Sequence, residues 1–343
     1  MSAELVARAA EARHFYPRNR FHELAADHVP FDELLGTRAF EARALRGCVG
    51  REGVVGVLGP RGGGKSSLIA HVSSQLPKSH LPLRVPVAVI DDVTSVEVVC
   101  ALALDRALEE FELDDDQRHD LDKARAEEVT VARDAGGFGG AKLGGGAVPV
   151  EVTLEAGSLR EELRKTPATS ERFAGLDRLI SILISRGVRP VFILEDTEAA
   201  IGGEDRATAE GFLAGPLRAL ARELDAALLV AIQDVFTTIQ EFQHLASSMA
   251  MIEIPALDPD QARQALTRIV EDRLEANGAS ADVAAVLDDE ALDLLVRFYG
   301  ETDRSLRFTL ATLQTACELA AEDGAEAIGH GHLRAATEAW RER

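Results

Sequence analysis

Val54-Val55-Gly56-Val57-Leu58-Gly59-Pro60-Arg61-Gly62-Gly63-Gly64-Lys65-Ser66-Ser67 is a short apolar run that empties into a glycine loop and then into the helical pattern Leu68–Leu76. The spacing Gly59-x-x-x-x-Gly64-Lys65-Ser66 is that of a phosphate-binding loop. Consecutive backbone N–H groups and a helix N-terminus converge on phosphate oxygens, Lys65 reaches the β- and γ-phosphates, and the Ser66 hydroxyl is placed to ligate Mg²⁺. Glycine is needed where a Cβ would block the close backbone approach. The whole stretch Gly59, Pro60, Arg61, Gly62, Gly63, Gly64, Lys65, Ser66 and Ser67 is therefore the expected nucleotide cradle.

Working outward, further apolar runs read as strands at Val85–Ile90, Pro190–Leu194, Ala227–Ile232 and Met251–Ile254, rich in Val, Ile and Leu and nearly free of polar residues. Such runs suit strands covered on both faces. Helical patterns lie between them at Lys65–Leu76, Ser95–Phe111, Ser170–Ser185 and Thr208–Leu224. The alternation predicts an α/β three-layer sandwich around a mostly parallel five-stranded sheet, with nucleotide at the carboxyl ends of the strands. After Ile254 the pattern is helical only. Asp258-Pro259-Asp260-Gln261 offers an N-cap, a first-turn proline and a reciprocal glutamine. Helices are expected from there to Asn277-Gly278, over Asp289–Tyr299, over Thr302–Ala321 with Leu306, Leu310, Leu313, Cys317 and Ala320 on one face, and from Leu333 to Trp340. The expected organisation is an N-terminal helical extension and linker at 1–50, a P-loop core at 51–256 with an insertion at about 112–168, and an all-helical lid at 257–343.

The 343 residues carry a formal net charge of −21, with 46% hydrophobic and 28% charged residues. That balance is enough for a large core and counts against a nucleic-acid coat, whose footprint is basic. Cys48, Cys100 and Cys317 lack metal or disulfide spacing and read as reduced core thiols. No leader pattern and no apolar run of roughly 20 residues is present, so a cytoplasmic protein with no membrane span is expected.

Hydrolysis needs acids on a neighbouring strand. Val191-Phe192-Ile193-Leu194-Glu195-Asp196 delivers two carboxylates from a buried strand. One would hold Mg²⁺ and the other would orient or deprotonate the attacking water. Gln233, closing the next strand, could contact the γ-phosphate or that water, or simply face solvent. His330-Gly331-His332 reads as a turn before a helix rather than a metal site. Arg13–Arg20 forms a local basic and aromatic patch. In the insertion, residues 136–146 contain seven glycines, and Val150, Val152 and Leu154 alternate with Glu151, Thr153 and Glu155. It reads as a flexible segment or as a strand edge for a partner chain.

The succession GPRGGGKSS, VFILED, LLVAIQD and a helical tail containing Gly300-Glu301-Thr302-Asp303-Arg304-Ser305-Leu306-Arg307 resembles the AAA+ ATPases, nearest the branch of archaeal replication initiators and STAND signalling switches. The resemblance covers about residues 21–340. Phe31–Arg38 is similar to the linker that touches adenine in that family. Gly300–Arg307 resembles its sensor 2 element, with Arg304 as the cation that reaches the γ-phosphate and Arg307 as the alternative. The resemblance implies ATP and Mg²⁺ as ligands and ATPase activity, with catalytic roles for Lys65, Glu195, Asp196, Gln233 and Arg304 and metal ligation by Ser66, Glu195 and Asp196. The absence of a guanine-selecting Asn-Lys-x-Asp also leans toward adenine.

Two departures imply slow turnover. The acidic pair is Glu-Asp where the family usually has Asp-Glu, and Ser247-Ser248-Met249-Ala250-Met251 carries no arginine to act in trans, leaving Arg218 and Arg222 as candidates. The expected function is a nucleotide-driven switch between core and lid that regulates or remodels an unidentified protein partner, met through the 112–168 insertion, the N-terminal forty residues or another protein. Homo-oligomers fit this scheme. Alternatives are an ATP-sensing signalling module without appreciable catalysis and an ATP-dependent nucleic-acid accessory, the latter disfavoured by the acidic charge.

Overall fold

The computed structural model describes residues 2–17, 20–35, 39–50, 53–86, 174–195, 206–276 and 283–341, together with His119 and Thr197. They form two compact units. One is made of Met1–Arg43, Gly59–Ser74 and Glu253–Arg343, the other of Ala44–Leu58 and Gln75–Ile252. Asp196, the helical pattern Ser95–Phe111 and the 112–168 insertion, apart from His119, lie outside the described residues.

The second unit is built on the sheet. Strands β1 (Val54–Gly59), β2 (His80–Pro86), β3 (Arg189–Glu195), β4 (Ala227–Gln233) and β5 (Ala250–Glu253) form one five-stranded parallel sheet in the order β2-β3-β4-β1-β5. The expected sheet is thus present. Leu83, Val85, Phe192, Leu194, Leu228, Val230 and Ile232 enter one buried apolar cluster. The alternate residues Val191, Ile193, Leu229 and Ala231 are buried as well. Burial at both parities is what an uninterrupted apolar run dictates for a doubly covered strand. Helices Ala174–Ser185, Arg206–Phe212 and Arg218–Glu223 belong to this unit.

Three boundaries differ from expectation. β2 begins at His80 rather than Val85. Pro82, Arg84 and Pro86 break its apolar pattern, yet as the terminal strand among the described residues it can forgo a ladder N–H on the side away from β3. The expected helix Thr208–Leu224 is interrupted by a π-turn over Leu213–Leu217. Pro216 has no N–H for the carbonyl of Phe212, and a widened turn absorbs the lost bond. The helix expected from Thr302 starts at Leu306, with Ser305 as its N-cap. Asp303 and Arg304 have φ of 50° and 58°, a left-handed turn that no helix interior tolerates.

The first unit holds an N-terminal arm, the glycine loop Gly59–Gly64 with its helix, and the helical region. The arm comprises α1 (Ser2–Glu11), α2 (Phe21–Ala26) and α3 (Phe31–Leu35), and the loop leads into α5 (Lys65–Ser74), with α4 (Phe40–Val49) bridging the two units in sequence. In chain order, Ala174–Ser185, Arg206–Phe212, Arg218–Glu223 and Gln240–Ala246 of the sheet unit are α6 to α9; the helical region is α10 (Pro259–Ala276), α11 (Asp289–Glu301), α12 (Leu306–Glu322) and α13 (His330–Arg341). The expected capping box forms. Gln261 N–H donates to Asp258 Oδ1 at 2.8 Å and Asp258 N–H to Gln261 Oε1 at 3.1 Å. Leu306, Leu310, Leu313, Cys317 and Ala320 are buried on one face of α12. Against that helix packs α1, fastened where Phe15 N–H donates to Gln314 Oε1 at 3.0 Å and Gln314 Nε2 donates to the Ala10 carbonyl at 3.2 Å.

Candidate functional site

Gly59 closes β1, and the chain turns through Pro60–Gly64 into α5, so the loop opens on a helix N-terminus. Gly62 and Gly64 have φ of +71° and +96°, conformations that side-chain-bearing residues rarely adopt. Lys65 is 5% exposed, and its Nζ donates to the carbonyls of Gly59 at 2.9 Å and Pro60 at 2.8 Å. The ammonium is thereby held over the loop it springs from. Ser66 is half-buried in the first turn of α5, and Arg61 is exposed at the loop's tip.

Two segments of the same unit press on this loop. From the helical region, Arg307 N–H donates to the Gly62 carbonyl at 3.4 Å, and Ser305 and Arg307 stand where a Cβ on Gly62 would go. Ser305 is buried and accepts from Phe308 N–H, which fixes it at the start of α12. Arg307 therefore has its backbone on the loop. Arg304 lies in the turn before the helix, its N–H bonded to the Tyr299 carbonyl at 3.1 Å. From the arm, the Phe31 ring lies 3.0 Å from a Cβ built on Gly64.

A polar relay ties the arm to α5. His28 Nδ1 is 3.0 Å from Ser67 Oγ, and its Nε2 is 3.0 Å from Glu41 Oε1. Ser67 Oγ also donates to the Leu24 carbonyl at 3.2 Å, and Glu41 accepts the Phe31 N–H at 2.7 Å. Burial pushes the Glu41 carboxyl upward, but hydrogen bonds from His28, from the Phe31 N–H and from its own N–H outweigh it and leave the pKa below the ordinary value. His71 stacks 4.6 Å from His28, and burial followed by the His28 charge lowers its pKa. The relay escaped the sequence reading because His28, Glu41 and Ser67 share no local spacing; only the fold brings them together.

In the sheet unit, Glu195 closes β3 and Gln233 closes β4. In a parallel sheet these two ends lie on the same edge. Glu195 is 3% exposed, and Arg84 Nε on β2 donates to its Oε2 at 2.6 Å. Gln233 is buried too. Thr197 Oγ1 donates to the Ala231 carbonyl at 2.5 Å, bracing the chain just past the acidic pair against β4. Arg84 was missed in the sequence. Its signal is a lone cation inside an apolar strand, facing register partner Ile193, two residues before the acid. Arg218 and Arg222 are exposed on α8. His330 and His332 stand in the first turn of α13, where His332 Nδ1 accepts the Gly329 N–H at 3.1 Å. Among the described residues no group of three or more His, Cys, Asp or Glu is placed to hold a metal, and no helix is long and apolar enough to cross a membrane.

No family model and no curated protein matches the chain. Solved structures do. The Aeropyrum pernix ORC2 protein in its ADPNP-ADP complexes is similar with a TM-score of 0.53 and 16% identity, covering 95% of this chain and 71% of that one. The Aeropyrum pernix ORC1 protein in complex with DNA gives 0.51 and 16% over 91% of this chain and 66% of that one. Cdc6p from Pyrobaculum aerophilum gives 0.50 and 12% over 95% and 70%. At such identities the likeness establishes fold alone: a five-stranded parallel sheet with helices and a helical C-terminal region, as in those structures.

Proposed function

We propose that this chain binds ATP through Gly59–Ser67, hydrolyses it slowly, and uses the state of the phosphates to set the position of its helical lid toward a partner. The supporting observation is the contact of Ser305 and Arg307 with Gly62, which joins the first turn of α12 to the phosphate loop. The left-handed glycines leave the loop backbone bare, and the N-terminus of α5 favours an anion, so the residues fit a polyphosphate. Lys65, at present satisfied by loop carbonyls, would exchange them for phosphate oxygens. Ser66, Glu195 and Asp196 would hold Mg²⁺, which neutralises phosphate charge when bound. Gln233 would orient water, and Arg304 or Arg307 would sense the γ-phosphate from the lid. A similar structure carries ADPNP and ADP, which favours adenine nucleotides.

Slow turnover follows from the order Glu195-Asp196. The shorter side chain at the second position shortens reach by about one C–C bond, roughly 1.5 Å, and misplacement on that scale costs on the order of 100-fold in rate. Lys65→Ala should abolish ATP binding, whereas Asp196→Asn should bind ATP and lose turnover. Full turnover in either variant would overturn the assignment. Single-turnover measurement distinguishes a slow ATPase from a pure sensor, which would hold intact ATP for hours with Mg²⁺ present.

A second reading, an ATP-dependent nucleic-acid accessory, draws on the similar ORC1 protein in complex with DNA. The net charge of −21 weighs against it. Salt dependence of any ATP-dependent DNA binding decides the matter: a steep loss with salt supports the reading, and an absent slope removes it.

A further inference from the structure

His80 and Arg189 are the first residues of β2 and β3 and are register partners, so their side chains rise from the same face of the sheet. They stand at the opposite end of the strands from Glu195 and Gln233. Six residue steps along a strand put that distance at roughly 20 Å. Here the sheet unit has a cleft of about 100 Å³, lined by Cys48, Val49, Gly53, Ile184, Pro190 and Leu224, among others, besides His80, Arg189 and Asp225.

One group in the cleft lacks the partner that its chemistry calls for, and an exposed cation, Arg189, stands beside it. His80 Nε2 is buried without a hydrogen-bond partner. Its Nδ1 lies 3.2 Å from Ser79 Oγ. In the tautomer that accepts from the serine hydroxyl, the ring proton sits on Nε2, which can then donate to a guest. Arg189 forms no ion pair among the described residues, and the charge it presents to its neighbourhood is felt by His80. Burial, and after it the Arg189 charge, lowers the pKa of His80. A buried ring nitrogen left unmatched is costly, and the neighbouring exposed cation makes the place favourable to an anion. Val49, Ile184, Pro190 and Leu224 make much of the remaining wall apolar, while Asp225, also in the lining, opposes a multiply charged anion more than a singly charged one. One guanidinium and one imidazole N–H match the two oxygens of a carboxylate.

We propose that this cleft binds a small aliphatic monocarboxylate, its carboxylate between Arg189 and His80 and its chain on the apolar wall. The site is separate from the phosphate loop and does not depend on nucleotide binding.

Butyrate is the test ligand, followed by the ring signals of His80 in NMR. A ligand of this size should bind with a Kd of about 1–10 mM. The expected result is saturable shifts and an upward move of the His80 pKa, because a bound anion favours imidazolium. Arg189→Gln should abolish saturation, and His80→Gln should weaken binding, followed on the neighbouring backbone amides, about tenfold. Both positions lie at a strand end, and circular dichroism establishes that each variant folds. No saturation by about 50 mM, an undiminished response in Arg189→Gln, or an equal response to butan-1-ol would overturn the proposal.

Discussion

Gly62 lies so close to Ser305 that a Cβ on the glycine would overlap the serine Oγ. Ser305 cannot readily yield, because it is 2% exposed and caps α12 through the Phe308 N–H. Gly62→Ala therefore meets two obstacles, the left-handed φ of +71° and the serine. The first alone costs about 1–2 kcal/mol. Ser305→Ala loses a helix cap, about 1 kcal/mol, but clears the space. The double variant should be destabilised by less than the sum of the singles in urea denaturation, since removing Oγ relieves the overlap. Strict additivity would show that the lid and the loop do not meet here.

Glu195→Gln tests the acid that closes β3. Its carboxylate is buried and bonded to Arg84, a cation 38% exposed on its side chain, so the amide leaves the arginine access to water. ATP affinity should stay within a few-fold, while turnover falls by about 10²–10⁴, the usual contribution of a positioned acid or base. Equilibrium binding of a fluorescent ATP analogue alongside phosphate release separates the two effects. Unchanged release would assign the chemistry to Asp196 alone.

Much of this could be read in the sequence for a local reason. The phosphate loop, the strands ending in Glu195 and Gln233, and the Asp258/Gln261 box are each set by residues adjacent in the chain. Their periodicity and caps act over one or two turns. The start of β2 was missed because an edge strand tolerates Pro82 and Pro86, and edge position is a property of the sheet. The start of α12 was missed because Asp303 and Arg304 adopt a left-handed turn that neither residue type demands. The relay from Glu41 through His28 to Ser67, and the Gln314 contacts with the arm, join residues far apart in sequence, and no local pattern encodes them.

Glu41 gives that relay a pH signature. Its pKa in the folded protein lies below its ordinary value of 4.5, so the carboxylate contributes stability that is fully present above that pH. The contribution is lost as pH falls through the lower folded value. In Glu41→Gln, stability at neutral pH should drop, and its decline in acid should be shallower than in the wild type. Chemical denaturation at a series of pH values below 7 measures both slopes. Parallel curves would mean that the carboxylate does not hold the arm.

Cys317 offers a probe of whether nucleotide protects the unit that carries Gly59–Ser74, with Cys48 in the other unit as the internal comparison. Burial pushes each thiol up to about 12, with the neighbouring Glu318 adding to the effect at Cys317. At pH 8 only about one thiol in ten thousand is then ionised, and the thiolate is the reactive form. Labelling by an aromatic disulfide reagent should therefore proceed through opening of the structure. Cys317 lies on α12, in the same unit as Gly59–Ser74, and its Sγ reaches the Val6 carbonyl at 3.6 Å, so freeing it means detaching the arm from that helix. In a Cys100→Ser background, ATP should slow Cys317 labelling by a factor approaching 1 + [ATP]/Kd, about 100-fold at a hundred times Kd, where the opening that exposes the thiol also disrupts the loop. The Lys65→Ala variant should show no such protection. Equal slowing in that variant would show that ATP acts on the reagent or on another surface, and a rate indifferent to ATP in the parent would mean that the arm opens without disturbing the phosphate loop.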